Sequence, residues 1–207
     1  MKNETTNLNA TNTTRPTFIT KSPLQFLIMD APRQSNLHLY IKECKKHNVT
    51  DIVRVCEPTY SSLELQKAGI QLHEMPYPDG HSPPDEVLDN WLRLVDERFI
   101  HSKIATGSPS ITSDGTKHTA NGDSATESYP NTNNKPTIAV HCVAGLGRAP
   151  VLVAIALIEF CKMEPVDAAL LIRKHRRGAI NNTQLQWLEG YKRRYKSPHG
   201  SACCVVM

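Results

Sequence analysis

Short runs of apolar and β-branched residues alternate along the chain with segments in which apolar residues recur every three or four positions. In the first half of the chain the short runs predict strands at 26–29, 52–56 and 70–72. The periodic segments predict helices at about 35–47, 62–68, 87–99, 165–177 and 183–191. Strands that alternate with helices predict an α/β sheet whose ligand site lies at the carboxyl ends of the strands.

The most apolar part of the chain is residues 137–158, where a short β-like run, a loop with two glycines and a nearly all-apolar helical segment follow one another. Pro150 falls in the first turn of that helix, where its missing N–H costs nothing. Segments this apolar belong at the centre of a domain. We therefore predict a single α/β domain with a central, mostly parallel, twisted sheet flanked by helices, and with the glycine loop between a central strand and a buried helix.

Two polar segments of low complexity interrupt this pattern. Residues 1–20 are rich in Asn and Thr, and residues 105–135 consist largely of Ser, Thr, Asn and Gly. Both compositions are typical of disorder, and a long surface insertion costs little closure entropy. We divide the 207 residues into a disordered extension at 1–20, one domain at 21–196 with an insertion at about 101–136, and a basic, flexible tail at 197–207.

The net charge of +4 is unevenly distributed. From Arg173 to the carboxyl terminus eight Lys and Arg residues accompany one acid, Glu189, which gives +7 there and −3 over the rest of the chain. A basic end on a mildly acidic body predicts contact with an acidic surface, either anionic lipid or nucleic acid. Since no aromatic stacking platform accompanies the basic residues, we expect no nucleic-acid partner.

The six cysteines include no CxxC pair and no zinc-ligand spacing. We accordingly expect no metal and no cofactor. The first residues contain no apolar segment of the kind found in signal peptides, and no stretch is apolar enough to span a bilayer. These features predict a protein of the reducing cytosol.

The glycine loop carries Cys142 and Arg148, with Gly145 and Gly147 between them. Glycines let backbone N–H groups curve around an anion, and the positive end of the following helix points at the same place. These groups favour the thiolate of Cys142, which could attack phosphorus and form a phosphocysteine. The predicted phosphate-binding residues are Val143, Ala144, Gly145, Leu146, Gly147 and Arg148. A bare Cys-x5-Arg spacing also fits a structural cysteine beside a surface arginine, which the strand, the glycines and the apolar helix argue against.

Phosphoryl transfer to a thiolate needs a proton donor for the leaving oxygen. Asp79 lies in a loop at 75–84 that four prolines stiffen, between a predicted strand and a predicted helix. Gly80 would let this loop flex over the site. An ordinary Asp-Gly turn is the alternative interpretation, and the presence of Cys142 favours the acid role.

The segment His141–Ala154 resembles the phosphate loop of the phosphatase of regenerating liver family, a prenylated, type IVA branch of the dual-specificity protein tyrosine phosphatases. The similarity extends to Val53–Cys56, Asp79–Gly80, Arg176–Ala179 and Cys203–Met207, and covers roughly residues 24–100 and 136–207. It implies a cysteine-phosphatase fold without a cofactor and a phosphoprotein or phosphoinositide substrate. A rhodanese or arsenate-reductase type of Cys-x5-Arg enzyme would leave Asp79 and the tail unexplained.

The resemblance also assigns roles to residues. It implies Cys142 as nucleophile, Arg148 as phosphate binder and Asp79 as general acid. It further implies a reversible disulfide between Cys56 and Cys142, although the residues alone favour Cys56 as a small buried hydrophobe. Ala149 stands where related phosphatases have Ser or Thr, whose hydroxyl helps the thiolate leave, so we predict a long-lived intermediate and slow turnover.

This chain departs from the family at the acid loop. The family usually has Trp-Pro-Phe-Asp-Asp-Gly where residues 75–80 read Met-Pro-Tyr-Pro-Asp-Gly, which puts loop closure and the efficiency of the acid in question.

A binding module is the alternative function that the resemblance implies. Its phosphate pocket would receive an acidic side chain from a CBS-domain (cyclin-M type) magnesium transport mediator. A second copy of the chain is left open as a partner.

The last four residues, Cys204–Met207, fit a C-a-a-X box, and Met in the last position favours a farnesyl group. One isoprenoid binds membranes weakly, so a second signal is expected. The basic residues Lys192, Arg193, Arg194 and Lys196 would supply it at anionic lipid. We therefore expect the farnesylated protein to be located at the cytoplasmic face of the plasma membrane or of endosomal membranes. Protein without the lipid is expected in the cytosol.

Overall fold

The computed structural model describes residues 15–101 and 135–196. Within these ranges one sheet is formed by five strands, β1 (Thr17–Lys21), β2 (Leu24–Met29), β3 (Val49–Arg54), β4 (Gln71–Glu74) and β5 (Thr137–His141). Their order in the sheet is β1-β2-β5-β3-β4. Strands β2, β5, β3 and β4 are parallel, and only β1 pairs in the antiparallel sense, with β2. The predicted α/β fold with a mostly parallel sheet is confirmed.

Helices cover both faces of the sheet in the described ranges. They are α1 (Leu37–Lys46), α2 (Leu63–Lys67), α3 (Asp85–Phe99), α4 (Arg148–Phe160), α5 (Pro165–His175) and α6 (Asn182–Glu189). Leu37 and Leu65 of α1 and α2 pack with Leu27 and Ile52 on one face. The other face carries the larger core, which α3, α4, α5 and α6 share.

The centre of the molecule is the pair β5 and α4. All five residues of β5 are buried between the neighbouring strands, as is typical of a parallel strand covered on both faces. In α4 every residue from Arg148 to Glu159 is buried, which confirms the prediction of an apolar helix at the domain centre. The carboxyl end of β5 and the amino end of α4 therefore meet at the loop 142–147.

The amino-terminal boundary predicted from the sequence is wrong. Residues 17–20 were expected to be disordered, but Thr17–Lys21 forms strand β1 along the full length of β2. Ile19 is buried in the large core, and Phe18 stacks on His47 with the ring centroids 5.1 Å apart. A strand with one fully buried side chain has little signal of its own, and its Thr-rich composition blends into the preceding residues. Residues 1–14 lie outside the described residues.

Two element ends also differ from the prediction. Helix α6 begins at Asn182, before the predicted start at about 183, and Asn181 caps it. The Asn181 side chain accepts from the Gln184 N–H while the Gln184 side chain accepts from the Asn181 N–H. Strand β3 ends at Arg54, and Val55 and Cys56 continue toward the end of the sheet. Residues 102–134 of the predicted insertion and the whole tail 197–207, with Cys204, lie outside the described residues.

The segment 191–196 after α6 packs back on the domain through a buried carboxylate. Glu159 of α4 accepts from the Tyr191 hydroxyl at 2.7 Å and from the Arg194 N–H at 2.8 Å. The Arg194 guanidinium pairs with Asp85 and Asp89 of α3. This segment is therefore fixed against α3 and α4. None of the helices within the described ranges has the length and apolar character needed to cross a membrane.

Candidate active site

The loop 142–147 turns through a conformation that only glycine tolerates at position 145. Gly145 has a φ of +67°, and a Cβ on it would collide with the carbonyl oxygen of Met29 and with Nη2 of Arg176. At Gly147 a Cβ would lie 3.0 Å from Nε2 of Gln184. Both glycines therefore allow the loop backbone to pack closely against neighbouring residues, because a side chain at either position would be in the way.

Four consecutive carbonyl groups of this loop bind donors outside it. The Val143 carbonyl accepts from the Ala31 N–H at 3.0 Å, and the Leu146 carbonyl accepts from the Ile180 N–H at 2.8 Å. Between them, Arg176 donates from Nη2 to the Ala144 carbonyl at 3.2 Å and from Nε to the Gly145 carbonyl at 2.6 Å. Because the carbonyls are held outward, the loop can turn its N–H groups inward as an anion-binding concavity.

Arg176 is itself fixed, since its Nη1 donates to the Thr17 hydroxyl and to the Arg15 carbonyl, each at 3.0 Å. The sequence analysis placed Arg176 at the end of the helix predicted at about 165–177 and missed this contact with the loop. The resemblance at Arg176–Ala179 was the signal that could have found it. Strand β1, which was also missed, contributes part of the support for the loop.

Arg148 is the first residue of α4, and its guanidinium is anchored from two directions. Nη1 donates to the Val55 carbonyl at 3.1 Å and to the Tyr77 carbonyl at 2.9 Å. The Tyr77 hydroxyl donates to the Arg148 carbonyl at 3.0 Å, and burial raises the pKa of Tyr77, which keeps the phenol neutral. The remaining Nε is buried and makes no hydrogen bond to any residue that the structure describes. This geometry leaves a fixed, cationic donor available at the cavity.

Asp79 lies in the loop between β4 and α3. Met75 and Tyr77 are buried, whereas the Asp79 side chain is 77% exposed. Its Oδ1 lies 3.2 Å from Nε of Arg148, within ion-pair distance but without hydrogen-bond geometry. Gly80 follows with a φ of +76°. The loop therefore has buried anchors and an exposed tip that carries the carboxylate.

A cavity of about 320 Å³ collects these groups. Cys142, Arg148 and Asp79 all line it, together with Val143, Ala144, Leu146 and Gly147 of the loop. The structure therefore brings together the predicted nucleophile, phosphate binder and acid. The sequence analysis missed the opposite wall, which Gly178, Asn181 and Gln184 form. The turn signal at Gly178, followed by an Asn in a capping position, marks this wall in the sequence.

Cys56 lies behind the site, at the end of the segment that leaves β3. Its Sγ is 3.9 Å from Nδ1 of His141, whose Nε2 is 2.6 Å from the Tyr60 hydroxyl. Burial lowers the pKa of His141 to about 4, so the imidazole is neutral at pH 7. Burial raises the pKa of the Cys56 thiol, Arg148 opposes this shift, and the neighbouring Cys142 adds to it. Cys56 and Cys142 are both unpaired thiols.

The chain is similar over most of its length to known phosphatases. It is 45% identical over 179 residues to the Dictyostelium discoideum protein named "Probable protein tyrosine phosphatase type IVA A", covering 86% of this chain and 89% of that protein. It is 39% identical over 201 residues to human protein tyrosine phosphatase type IVA 3, covering 94% and 98%. No protein-family model matches the chain.

The fold gives the same result. A solved structure of a protein tyrosine phosphatase from Leishmania major superposes with a TM-score of 0.68 and 40% identity, covering 87% of this chain and 100% of that one. Identities of this size over nearly whole chains agree with the motif-based resemblance. The chain belongs to the protein tyrosine phosphatase type IVA family, the phosphatases of regenerating liver.

Proposed function

We propose that this protein tyrosine phosphatase transfers the phosphoryl group of a phosphorylated substrate to Cys142 and releases it by slow hydrolysis. The observation that carries the proposal is the set of contacts around Cys142. The loop carbonyls of residues 143–146 are all bound from outside, and the buried Nε of Arg148 has no hydrogen-bond partner in the described residues. A buried donor without a hydrogen-bond acceptor is costly unless a ligand uses it, and a phosphate oxygen is a suitable acceptor that could replace the Asp79 carboxylate at 3.2 Å.

In the first step the Cys142 thiolate forms an S–P bond while the bond from phosphorus to the leaving oxygen breaks. Asp79, in its acid form, donates its proton to that oxygen. The loop amides and Arg148 bind the other oxygens of the transferring group, where negative charge must be stabilised. The products are phosphocysteine and the dephosphorylated substrate.

In the second step water attacks phosphorus and the S–P bond breaks. Inorganic phosphate is released, and the Cys142 thiolate is regenerated. The Asp79 carboxylate accepts the proton from water in this step. Ala149, the second residue of α4, is fully buried and offers no hydroxyl to the departing sulfur. This absence supports a long-lived phosphocysteine and a slow second step.

The acid loop has to move during this cycle. Asp79 approaches Nε of Arg148 at 3.2 Å, the atom to which we assign a phosphate oxygen. Substrate would therefore displace the carboxylate from Arg148 toward the leaving group. The positive φ of Gly80 and the exposure of residues 78–82 are compatible with such a movement.

The test is the intact mass of the reduced protein after mixing with a small aryl phosphate. We expect a persistent adduct of one phosphoryl group and a burst of product followed by a slow steady state. Cys142→Ser is the matched variant, since it keeps the size of the side chain and should form no adduct. Fast steady turnover without an adduct would contradict the slow second step. No adduct and no turnover would contradict the enzymatic role of Cys142 altogether.

We also propose a membrane tether consisting of a farnesyl group on Cys204 and the basic residues before it. Arg194 is paired with Asp85 and Asp89, and Arg193 donates to the Met163 carbonyl, whereas the exposed Lys192 and Lys196 make no ion pair within the described ranges. A chain truncated after Ala202 should lose its membrane fraction in cells, and Lys192→Gln with Lys196→Gln should weaken it. A truncated chain that stays on membranes would contradict this tether.

Docking of an acidic partner side chain is a second candidate function. One contact favours it, because the carboxylate of Asp79 already reaches Arg148 within 3.2 Å, so a partner's carboxylate fits the same position. The resemblance names a CBS-domain magnesium transport mediator as the partner. If the cavity docks such a protein, inorganic phosphate or phosphorylation of Cys142 should prevent the complex in a pull-down with the purified partner. A complex that is indifferent to both would exclude the cavity as its site.

A further inference from the structure

A second, smaller cavity opens beside the phosphate cavity. It has a volume of about 100 Å³ and is bordered by Gly80 and Gln184, which also line the larger cavity. The rest of its wall consists of His81, Ser82, Val151, Thr183 and Trp187. Because two residues border both cavities, a group next to a phosphate held at Cys142 is within reach of the second cavity.

The wall of this cavity combines an apolar surface from Val151 and Trp187 with polar side chains at its edge. Val151 is buried, and the half-buried Trp187 packs against Tyr191 with the ring centroids 5.6 Å apart. None of the seven lining residues is a Lys, Arg, Asp or Glu. Such a surface gains free energy by covering an apolar group and offers no Lys or Arg side chain to a further phosphate.

We propose that this second cavity receives an apolar side chain next to the phosphorylated residue of a polypeptide substrate. The inference rests on the proposed function, because it takes the phosphate cavity as the position of the phosphorylated residue. It selects a phosphoprotein over a phosphoinositide. An inositol ring carries hydroxyl groups and often further phosphates, which a largely apolar cavity without Lys or Arg does not stabilise.

The experiment uses four short phosphotyrosine peptides in a Gly/Ser background. Each peptide carries one Leu, at the first or second position before the phosphotyrosine or at the first or second position after it. The rate of Cys142 phosphorylation is measured for each peptide and divided by the rate of the same preparation with a small aryl phosphate. This ratio removes differences in the active fraction of the protein. We expect one Leu position to raise the ratio roughly tenfold, as filling one apolar subsite does, and Asp there to give no gain.

Three variants of α6 test whether Trp187 carries the preference. Trp187→Ala should lose it and Trp187→Phe should keep it, because the phenyl ring retains the apolar wall. Gln186→Ala is the control, since Gln186 is an exposed neighbour that does not line the cavity. Equal ratios for all peptides, or a preference that survives in Trp187→Ala, would overturn the inference. So would a short-chain phosphoinositide that reacts faster than every peptide.

These outcomes are separate from a failure of the proposed function. If the aryl phosphate forms no adduct on Cys142, the proposed function itself is wrong. If the aryl phosphate forms the adduct but the peptides do not differ, only the assignment of the second cavity is wrong.

Discussion

Arg176 donates from Nε to the carbonyl oxygen of Gly145 at 2.6 Å, and the two residues lie 31 positions apart in the chain. Gly145 in turn leaves no room for a side chain between the loop and this guanidinium. The contact therefore fixes the shape of the candidate phosphate loop from a different element, the end of α5. It makes Arg176 a positioning residue for Cys142, since it touches the loop backbone and does not line the cavity.

We predict that Arg176→Ala slows the phosphorylation of Cys142 by an aryl phosphate by a factor on the order of 100, because loop amides that move out of place bind the transferring group poorly. Losing the charge-assisted hydrogen bonds of Arg176 to the loop carbonyls should also lower the free energy of unfolding by roughly 1.5–3 kcal/mol. Burst kinetics and urea unfolding measure the two effects. Arg177→Ala is the matched control, because Arg177 is exposed and adjacent. Equal rates of Cys142 phosphorylation in the two variants would contradict a positioning role for Arg176.

Replacing Ala149 by Ser should accelerate the second chemical step. A hydroxyl at this position could donate to the departing Cys142 sulfur, and we expect steady-state turnover to rise on the order of tenfold or more. The phosphocysteine adduct seen by intact mass should shrink accordingly. Ala154→Ser places the same hydroxyl farther along α4, in the buried part of the helix, and should leave the hydrolysis rate unchanged. An Ala149→Ser variant with wild-type turnover would count against this explanation of slow release.

Asp79→Asn should affect substrates according to their leaving groups. An alkyl phosphate needs a proton on its leaving oxygen, so its reaction should slow on the order of 100-fold, whereas an aryl phosphate with an acidic phenol should slow much less. The rates of Cys142 phosphorylation from the two substrates test this. Glu86→Gln, an exposed carboxylate at the start of α3, serves as the control. Equal slowing of both substrates would mean that Asp79 acts only through Arg148.

His141 should make the stability of the fold depend on pH. Burial lowers its pKa to about 4, against about 6.5 in an unfolded chain. Between these values the unfolded state binds the proton and the native state does not, so stability is complete above pH 6.5 and falls as the pH drops toward 4. The full loss is about 3 kcal/mol. Urea unfolding at pH 7.5 and 4.5 measures it.

The variants for this prediction are His141→Asn and His38→Gln. His141→Asn should remove most of the slope between the two pH values, although it also loses the contact with Tyr60. His38 is exposed on α1, and His38→Gln should keep the slope. A slope that persists in His141→Asn would assign the effect to other groups.

Mild oxidation should join Cys56 to Cys142. Hydrogen peroxide would take two electrons and two protons from the thiols, form the S–S bond and be reduced to water, lowering the intact mass by about 2 Da. Activity should return with dithiothreitol in the wild type and be lost irreversibly in Cys56→Ser, because the Cys142 sulfur would then be oxidised further. Cys44→Ser is the control, since Cys44 is buried in the other core. Full recovery of Cys56→Ser would disprove the protective pairing.

The centre of the fold and the main site residues could be predicted because their signals are local. Residues 137–158 contain two apolar runs on either side of a glycine loop, and such runs are typical of a strand in the middle of a sheet followed by a buried helix. The spacing of Cys142 and Arg148 in that loop predicts that the phosphate-binding cavity lies there. Asp79 followed from its position between a strand end and a helix start.

The supporting contacts could not be predicted because they depend on distant partners. Strand β1 gains its stability by pairing with β2 and by burying Ile19, and neither contribution is visible in a Thr-rich segment read alone. The bonds of Arg176 to the loop require the end of α5 to lie beside the end of β5. Gln184 lines the cavity from the first turn of α6, where its side chain accepts from the N–H of the cap residue Asn181.

The outward-held carbonyls of the loop have a consequence for its affinity. Their partners are Ala31, Ile180 and Arg176, which belong to the folded protein and not to any ligand. The loop is therefore preorganised, and the conformational entropy of forming it is already lost when the chain folds. Any tetrahedral oxyanion of the right size would bind without ordering the backbone. Inorganic phosphate, the product of the proposed reaction, should for this reason remain bound in the loop and inhibit the enzyme competitively with the phosphorylated substrate.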